Sequence, residues 1–371
     1  MHLPPARRAA IRRRLLDWYD AGHRSLPWRY PERGADPYRV WLSEVMLQQT
    51  QVAVVLPYFH RFVQRWPTLE ALAAARDEEV LGAWSGLGYY ARCRNLLAAA
   101  REALRRHGGL PATLGGLRAL PGFGPYTAGA VASIAFGIPT AAVDGNVARV
   151  LARLFLVAGD PAAKETRDRL WRLAAEIVPG TEGGRRPPRP GDFNQALIEL
   201  GATVCRRTSP ECRRCPLAPL CEARKAGRER EVPRARRRPA RRKMEMACAV
   251  VERDGAVLVR RRPGRGLLGG LWELPGTEVG RREPASRAAR RALRDLGLDG
   301  RAGEELAAVQ RTLTHRDLTL RAFRCSARGA ARRVRGRDVR WARWADVDGL
   351  GMATAMRKLV ELVRPAAGEG G

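Results

Sequence analysis

The sequence predicts two domains of different class: a mainly α region over residues 1–225 and a small mixed α/β domain over 246–365. Three observations carry that expectation. Alanine-rich amphipathic segments with short Gly/Pro breaks, and no strand series, run to about residue 225. Gly227–Lys243 is dominated by Arg, Glu and Pro, too polar to build a core, so 226–245 reads as a basic linker. From Met246 the pattern switches to short apolar runs across tight-turn dipeptides. At 371 residues, each part is long enough to bury a core of its own.

Taken in order, the start carries Arg7, Arg8 and Arg12 to Arg14 but no apolar signal core. It reads as an amphipathic helix with Ile11, Leu15 and Trp18 on one stripe. Helical segments follow near 51–65, 69–83, 91–106, 126–136, 144–157, 164–177 and 192–204. Leu120-Pro121-Gly122-Phe123-Gly124-Pro125-Tyr126 joins the helical stretches Leu114–Ala119 and Tyr126–Phe136. Gly122 and Gly124 let backbone N–H groups converge at the positive end of the second helix, where a phosphate can sit. A plain glycine-rich αα turn has the same composition. Asp144, eighteen residues after Tyr126, stands at the start of the next helix, where it can cap that helix or serve a site.

Four of the seven cysteines fall in the run Cys205-x6-Cys212-x2-Cys215-x5-Cys221. Soft thiolates this close hold zinc or an iron–sulfur cluster, and the spacing matches neither zinc-ribbon hooks nor ferredoxin runs. Both groups stay open on spacing alone. Cys93, Cys248 and Cys325 are expected in the core, and unpaired thiols suit a reducing cytoplasm. Net charge is +30, nearly all from arginine, since Lys164, Lys225, Lys243 and Lys358 are the only lysines. Such a chain is expected to bind a polyanion. It lacks any run of about 18 apolar residues that could span a membrane.

In the second region, Ala247–Glu252 and Ala256–Arg260 flank Asp254-Gly255 as a hairpin. A helix is expected at about 284–296, strands at 305–311 and 317–325, a closing helix at 351–363 and a tail at 366–371.

Glu44 lies on an apolar helical segment among Val40, Trp41, Leu42, Val45, Met46 and Leu47, with Gln48 and Gln51 continuing a narrow polar stripe. A carboxyl in such company has its pKa raised, which suits a general acid near neutrality. A salt bridge to one of the many arginines is the competing reading.

These residues resemble the helix-hairpin-helix DNA glycosylase superfamily. Within it, Ser43-Glu44-Val45-Met46-Leu47-Gln48-Gln49-Thr50-Gln51-Val52 is similar to the adenine DNA glycosylases of the MutY type. So are Leu26-Pro27-Trp28-Arg29, Gly86-Leu87-Gly88-Tyr89-Tyr90 and Phe193-Asn194-Gln195-Ala196-Leu197-Ile198-Glu199-Leu200-Gly201. The resemblance implies base-excision repair on double-stranded DNA carrying an A:8-oxoguanine or A:G mispair. It further implies one [4Fe–4S] cluster on Cys205, Cys212, Cys215 and Cys221, a monomer, and a cytoplasmic, DNA-associated place of work. Glu44 would protonate adenine N7 and Asp144 would stabilise or attack the oxocarbenium sugar, with Tyr126 and Asn146 orienting the two carboxyls. Arg24, Trp28, Arg29, Leu47, Val52 and Gln195 would line the adenine pocket, although relatives carry Glu at the last position. Gln48, Gln49, Thr50 and Tyr89 would meet DNA, Gln49 and Tyr89 entering the helix beside the lesion strand. A lysine at the hairpin position of Tyr126 marks the related strand-cutting enzymes. Here no lysine lies near that motif, so a monofunctional enzyme is expected.

Leu267-Leu268-Gly269-Gly270-Leu271-Trp272-Glu273-Leu274-Pro275-Gly276 resembles the Nudix fold that this type carries at its C-terminus. Arg290-Arg291-Ala292-Leu293-Arg294-Asp295 stands where a Nudix hydrolase needs metal-binding glutamates, so lesion recognition is expected instead of pyrophosphate hydrolysis. The family reads 8-oxoguanine with a Phe-Ser-His loop. This chain has Leu313-Thr314-His315, which keeps a hydroxyl on Thr314 and a donor on His315 but loses the aromatic ring. Competing readings are an endonuclease-III-like glycosylase/lyase, a non-catalytic DNA-binding scaffold and a nucleotide pyrophosphatase. Tyr126 and the appended domain weigh against the first, the joint presence of Glu44, Asp144 and Tyr126 against the second, and the missing carboxylates against the third.

Overall fold

The computed structural model describes residues 3–29, 35–180, 188–234, 240–264, 268–313, 316–328 and 338–365. The chain divides into two compact units, Met1–Ala74 with Asn95–Arg237, and Ala75–Arg94 with Arg238–Gly371. Division at 237/238 falls within the expected linker. That residues 75–94 join the second unit departs from the expected division of the chain.

The first unit is helical. It comprises α1 (Pro5–Gly22), α2 (Pro37–Leu47), α3 (Val52–Arg65) and α4 (Leu69–Ala74). The next helix, α5 (Asp77–Ala83), lies in the second unit, and α6 (Tyr90–His107) begins there and runs on into the first. Then come α7 (Leu114–Arg118), α8 (Pro125–Phe136), α9 (Gly145–Leu154), α10 (Lys164–Ile177), α11 (Pro190–Thr203) and the short α12 (Glu222–Lys225). The segment expected as one helix over 69–83 is thus two. Arg76 is extended (φ −72°, ψ 140°), and Asp77, Glu78 and Glu79 place three carboxylates at the positive end of a new helix.

In α1 the buried stripe is Ile11, Leu15 and Tyr19, an i, i+4, i+8 row; the expected Trp18 is only partly buried at its edge. This stripe packs with Val147, Val150 and Leu151 of α9 and Phe193, Leu197 and Leu200 of α11. Burying each such side chain contributes roughly 1.5–3 kcal/mol. Asp36 caps α2, accepting from the Tyr38 N–H at 2.9 Å, and Pro37 fits the first helical position. The expected linker, too polar by composition to build a core, nevertheless contributes one residue to this one. Val232 is buried in this core, and its carbonyl accepts from Arg153 Nε at 2.9 Å.

Buried Asn194 on α11 joins a hydroxyl of α8 to the backbone of the segment that follows it. Its Nδ2 donates to Ser133 Oγ and the Thr140 carbonyl, both at 2.8 Å, and its Oδ1 accepts from the Ala142 N–H at 3.3 Å. Gly129 permits the approach, since a Cβ there would lie 2.1 Å from the Ala141 carbonyl oxygen. The chain reaching Asp144 is therefore clamped between α8 and α11.

The second unit holds β1 (Arg242–Val250), β2 (Glu252–Arg253), β3 (Ala256–Arg261), β4 (Trp272–Glu273), β5 (Gly276–Glu278), α13 (Ala285–Arg294), β6 (Asp299–Thr312), β7 (Arg316–Arg328), β8 (Val339–Arg343) and α14 (Thr354–Val363). One sheet has the order β5-β1-β7-β6, with β1 and β7 parallel; in the other, β3 lies between β2 and β4 and also pairs with β8. Asp254 (φ 48°) and Gly255 (φ 71°) form the expected tight turn between β2 and β3. Helix α13 buries Ala288, Ala289 and Leu293 with Ala247 and Ala249 of β1 and Phe323 of β7. Cys93, Cys248 and Cys325 are buried, as expected. No described helix is long and apolar enough to cross a membrane.

Candidate active site

One cavity of about 970 Å³ in the helical unit takes in most of the expected residues. Arg24, Trp28, Arg29, Glu44, Leu47, Gln48, Gln49, Thr50 and Val52 reach it from the N-terminal side. Gly122, Gly124, Tyr126, Asp144, Asn146 and Gln195 close the other. A volume of that order holds a nucleotide.

Local structure explains each placement. Phe123 of the hairpin stacks on Trp41 of α2, ring centroids 5.3 Å apart, one helical turn from Glu44. Gly122 takes φ +75°, and a Cβ there would press to 2.6 Å from Asn95 Cβ, so only glycine fits. Tyr126 then begins α8 with its hydroxyl donating to Glu44 Oε2 at 2.6 Å. Gln48 Nε2 donates to Thr127 Oγ1 at 3.2 Å, and Gln49 is held at φ +58° in the turn between α2 and α3.

Burial pushes the Glu44 carboxyl up to about 7, with the nearby Asp144 charge adding to the rise. The Tyr126 hydrogen bond and Arg29 oppose it without cancelling it. Between about 4.5 and about 7 the folded chain keeps a proton that the unfolded chain has released. Stability therefore falls as pH rises through that window, by roughly 3 kcal/mol in all at about 1.4 kcal/mol per pH unit. Asp144 does cap its helix: Oδ1 accepts from the Val147 N–H at 2.7 Å. Its Oδ2 accepts from Asn146 Nδ2 at 2.9 Å. Burial raises the Asp144 pKa, while these donors act in favour of the ionised form. Capping and a place on the cavity coexist in one carboxylate.

Three residues outside the expected set complete the site. Glu199, 2% exposed, receives Arg24 Nε at 2.5 Å and Arg29 Nη2 at 3.1 Å. Burial alone would raise its pKa, but the two guanidiniums outweigh that and hold it below the ordinary carboxylate range. Both arginines reach the pocket from this shared anchor. Glu199→Gln is expected to cost on the order of 3 kcal/mol of stability and to slow the chemistry of this cavity, because Arg29 loses its buried counter-charge. Denaturant unfolding and single-turnover assays check this, and unchanged values in both would contradict it. Arg149 donates to Asn146 Oδ1 and the Gly201 carbonyl, each at 2.8 Å, and to the Cys205 carbonyl at 2.8 Å. Gly201 allows this approach, since a Cβ would fall 2.7 Å from Asn146 Cβ. Buried Arg153 binds the carbonyls of Arg206 at 2.7 Å and Arg207 at 3.0 Å and reaches Cys205 Sγ at 3.3 Å. In a chain this rich in arginine, nothing in the sequence marks Arg149 and Arg153 as the ones that turn inward; Glu199, an acid inside an apolar helical run, does carry a signal.

Cys205, Cys212, Cys215 and Cys221 line one cavity beside Arg153. Among the described residues, no three His, Cys, Asp or Glu side chains are gathered so as to grip a metal ion directly. Four thiols around one space, beside a buried guanidinium, have the soft donor chemistry that zinc or an iron–sulfur cluster takes.

Not every expected residue joins this site. Tyr89 belongs to the second unit, is 44% exposed and has φ +48°. Thr314 and His315 lie outside the described residues. In the second unit Arg291 donates to Glu283 at 2.7 Å, Thr277 Oγ1 at 3.0 Å and the Glu278 carbonyl at 2.8 Å. Buried Glu273 is paired with Arg260 at 2.9 Å and Arg262 at 2.7 Å. Guanidiniums thus neutralise carboxylates there.

Residues 42–176 match the family described as HhH-GPD superfamily base excision DNA repair protein, and residues 246–362 match the NUDIX domain. An adenine DNA glycosylase of Rattus norvegicus is 39% identical over 410 residues, covering 94% of this chain and 77% of that protein. An adenine DNA glycosylase of Homo sapiens is 42% identical over 339 residues, covering 76% of this chain and 60% of that protein. Among solved structures, a thermostable thymine-DNA glycosylase is 27% identical with TM-score 0.51, covering 60% of this chain and 98% of its own.

Proposed function

The chain belongs to the adenine DNA glycosylases of the HhH-GPD base-excision repair superfamily, with a C-terminal Nudix-like domain, and we propose that it releases adenine paired with 8-oxoguanine or G without cutting the strand. It is an adenine-specific DNA N-glycosylase. The observation that carries the finer reading is one cavity bordered by two buried carboxyls, Glu44 held by the Tyr126 hydroxyl and Asp144 by the N–H groups of Val147 and Asn146.

Adenine leaves poorly unless protonated. Glu44, carrying its proton up to about pH 7, delivers it to N7 of the extruded base. Positive charge then grows on the deoxyribose, and the Asp144 carboxylate, held by Val147 and Asn146, stabilises it or bonds to it transiently. Glu44, now ionised, takes the proton of the water that completes hydrolysis. Tyr126 at the hairpin offers a hydroxyl fixed to Glu44, not an amine able to form a Schiff base.

Cys205, Cys212, Cys215 and Cys221 would hold one [4Fe–4S] cluster, and four thiolates so bound would fasten the basic loop between Arg206 and Arg214 for DNA contact. Thr314 and His315 are assigned to 8-oxoguanine recognition. The test is a duplex with a single A:8-oxoguanine pair. Free adenine, with an intact strand until alkali is added, supports the reading; strand scission with abundant borohydride-trapped adduct overturns it.

A further inference from the structure

Tyr89 sits in a strained loop whose supports all lie in the second unit. Gly86 (φ 103°), Gly88 (φ 70°) and Tyr89 itself (φ 48°) all take positive φ, which is unfavourable for an aromatic residue unless its surroundings impose it. Buried Trp84 donates from Nε1 to the Gly88 carbonyl at 3.0 Å. Arg92 donates to the Leu87 and Gly88 carbonyls, and its guanidinium lies 5.1 Å from the Tyr89 ring centroid and 5.5 Å from that of Trp84. The loop therefore projects an exposed aromatic ring from a fixed base.

That base is seated on the Nudix-like domain. Ser85 Oγ and Tyr90 Oη both donate to the Met352 carbonyl, at 2.7 and 2.9 Å, and Met352 is fully buried. Arg94 Nη1 donates to the Gly269 carbonyl at 2.6 Å. Glu78 faces Arg261 at 3.6 Å. Gly351 allows close approach: a Cβ there would lie 3.3 Å from the Gly82 nitrogen. The helix break at Arg76 marks where this segment leaves the first unit.

We propose that Ala75–Arg94, although it lies within the catalytic region by sequence, is a working part of the Nudix-like unit, which positions Tyr89 for the lesion strand through the Met352 and Gly269 carbonyls. The second half of that statement rests on the reading of Tyr89 as the residue that enters DNA. The segment that enters the duplex and the domain that reads the opposite base would then act as one body. Discrimination of the lesion depends in that case on the hydrogen bonds that join the two.

Two experiments on the full chain separate the inference from the reading beneath it. Hydrogen exchange in rising urea assigns the segment to a cooperative unit. Residues 77–92 are expected to lose protection together with 246–362; loss together with 114–177 would overturn the proposal. In the Ser85→Ala/Tyr90→Phe variant, amides of 86–90 are expected to exchange about tenfold faster, since two donors to a buried carbonyl are gone. Unchanged exchange there also overturns it. Selectivity for 8-oxoguanine over G should fall in this variant and in Tyr89→Ala, with no further loss when the changes are combined. Additive losses would mean that the anchors act by another route. A Tyr89→Ala enzyme with full selectivity would remove the DNA-entering role while the exchange results still decide the anchoring.

Discussion

Glu44→Gln is expected to slow adenine release by roughly a thousandfold or more under single-turnover conditions, with duplex affinity unchanged. Glutamine keeps the size of the side chain and an oxygen for the Tyr126 hydroxyl, so the helix and hairpin lose no contact. What disappears is the transferable proton. The same substitution also removes a buried acid whose ionisation opposes folding above about pH 4.5. The variant is therefore expected to melt no lower than the parent at pH 8. A dead enzyme with undiminished stability separates a chemical role for Glu44 from a structural one. Loss of activity together with a large fall in melting temperature would assign it the structural role.

Asp144→Asn is expected to slow the same step by roughly a hundred- to a thousandfold, the scale of a lost electrostatic partner for a developing charge. Asparagine still caps α9, because its oxygen can accept from the Val147 N–H. Loss of the cap therefore cannot explain a fall in rate. The measurement is single-turnover release beside circular dichroism of the variant. Near-normal turnover would show that the sugar cation needs no anion here, and would leave Asp144 as a cap alone.

Much of this was legible in the chain. Periodicity located the helices because amphipathic faces repeat every 3.6 residues, and Asp254-Gly255 marked the β2–β3 turn because its geometry demands positive φ. Motif residues dispersed over 24–195 converge on one cavity, which spacing alone cannot reveal but family likeness implies. Three features escaped. The helix break at Arg76 is hidden by continuous alanine and leucine patterning. Its only trace is the acidic run Asp77–Glu79. Arg149 and Arg153 do their work through side-chain hydrogen bonds to backbone carbonyls, which leave no periodic signature. Assignment of Ala75–Arg94 to the second unit depends on carbonyls of Met352 and Gly269, far away in sequence. Local patterning records which face of a helix is apolar, not which domain receives it.

The account rests on a proton held by Glu44 near neutrality, and a pH profile of single-turnover adenine release tests it most directly. With saturating enzyme over roughly pH 5 to 9, the protonated acid predicts a rate that falls about tenfold per unit above a bend near pH 7. In Glu44→Gln that bend should vanish along with the activity it governs. A parent profile that stays flat through pH 7 to 9 would contradict the account.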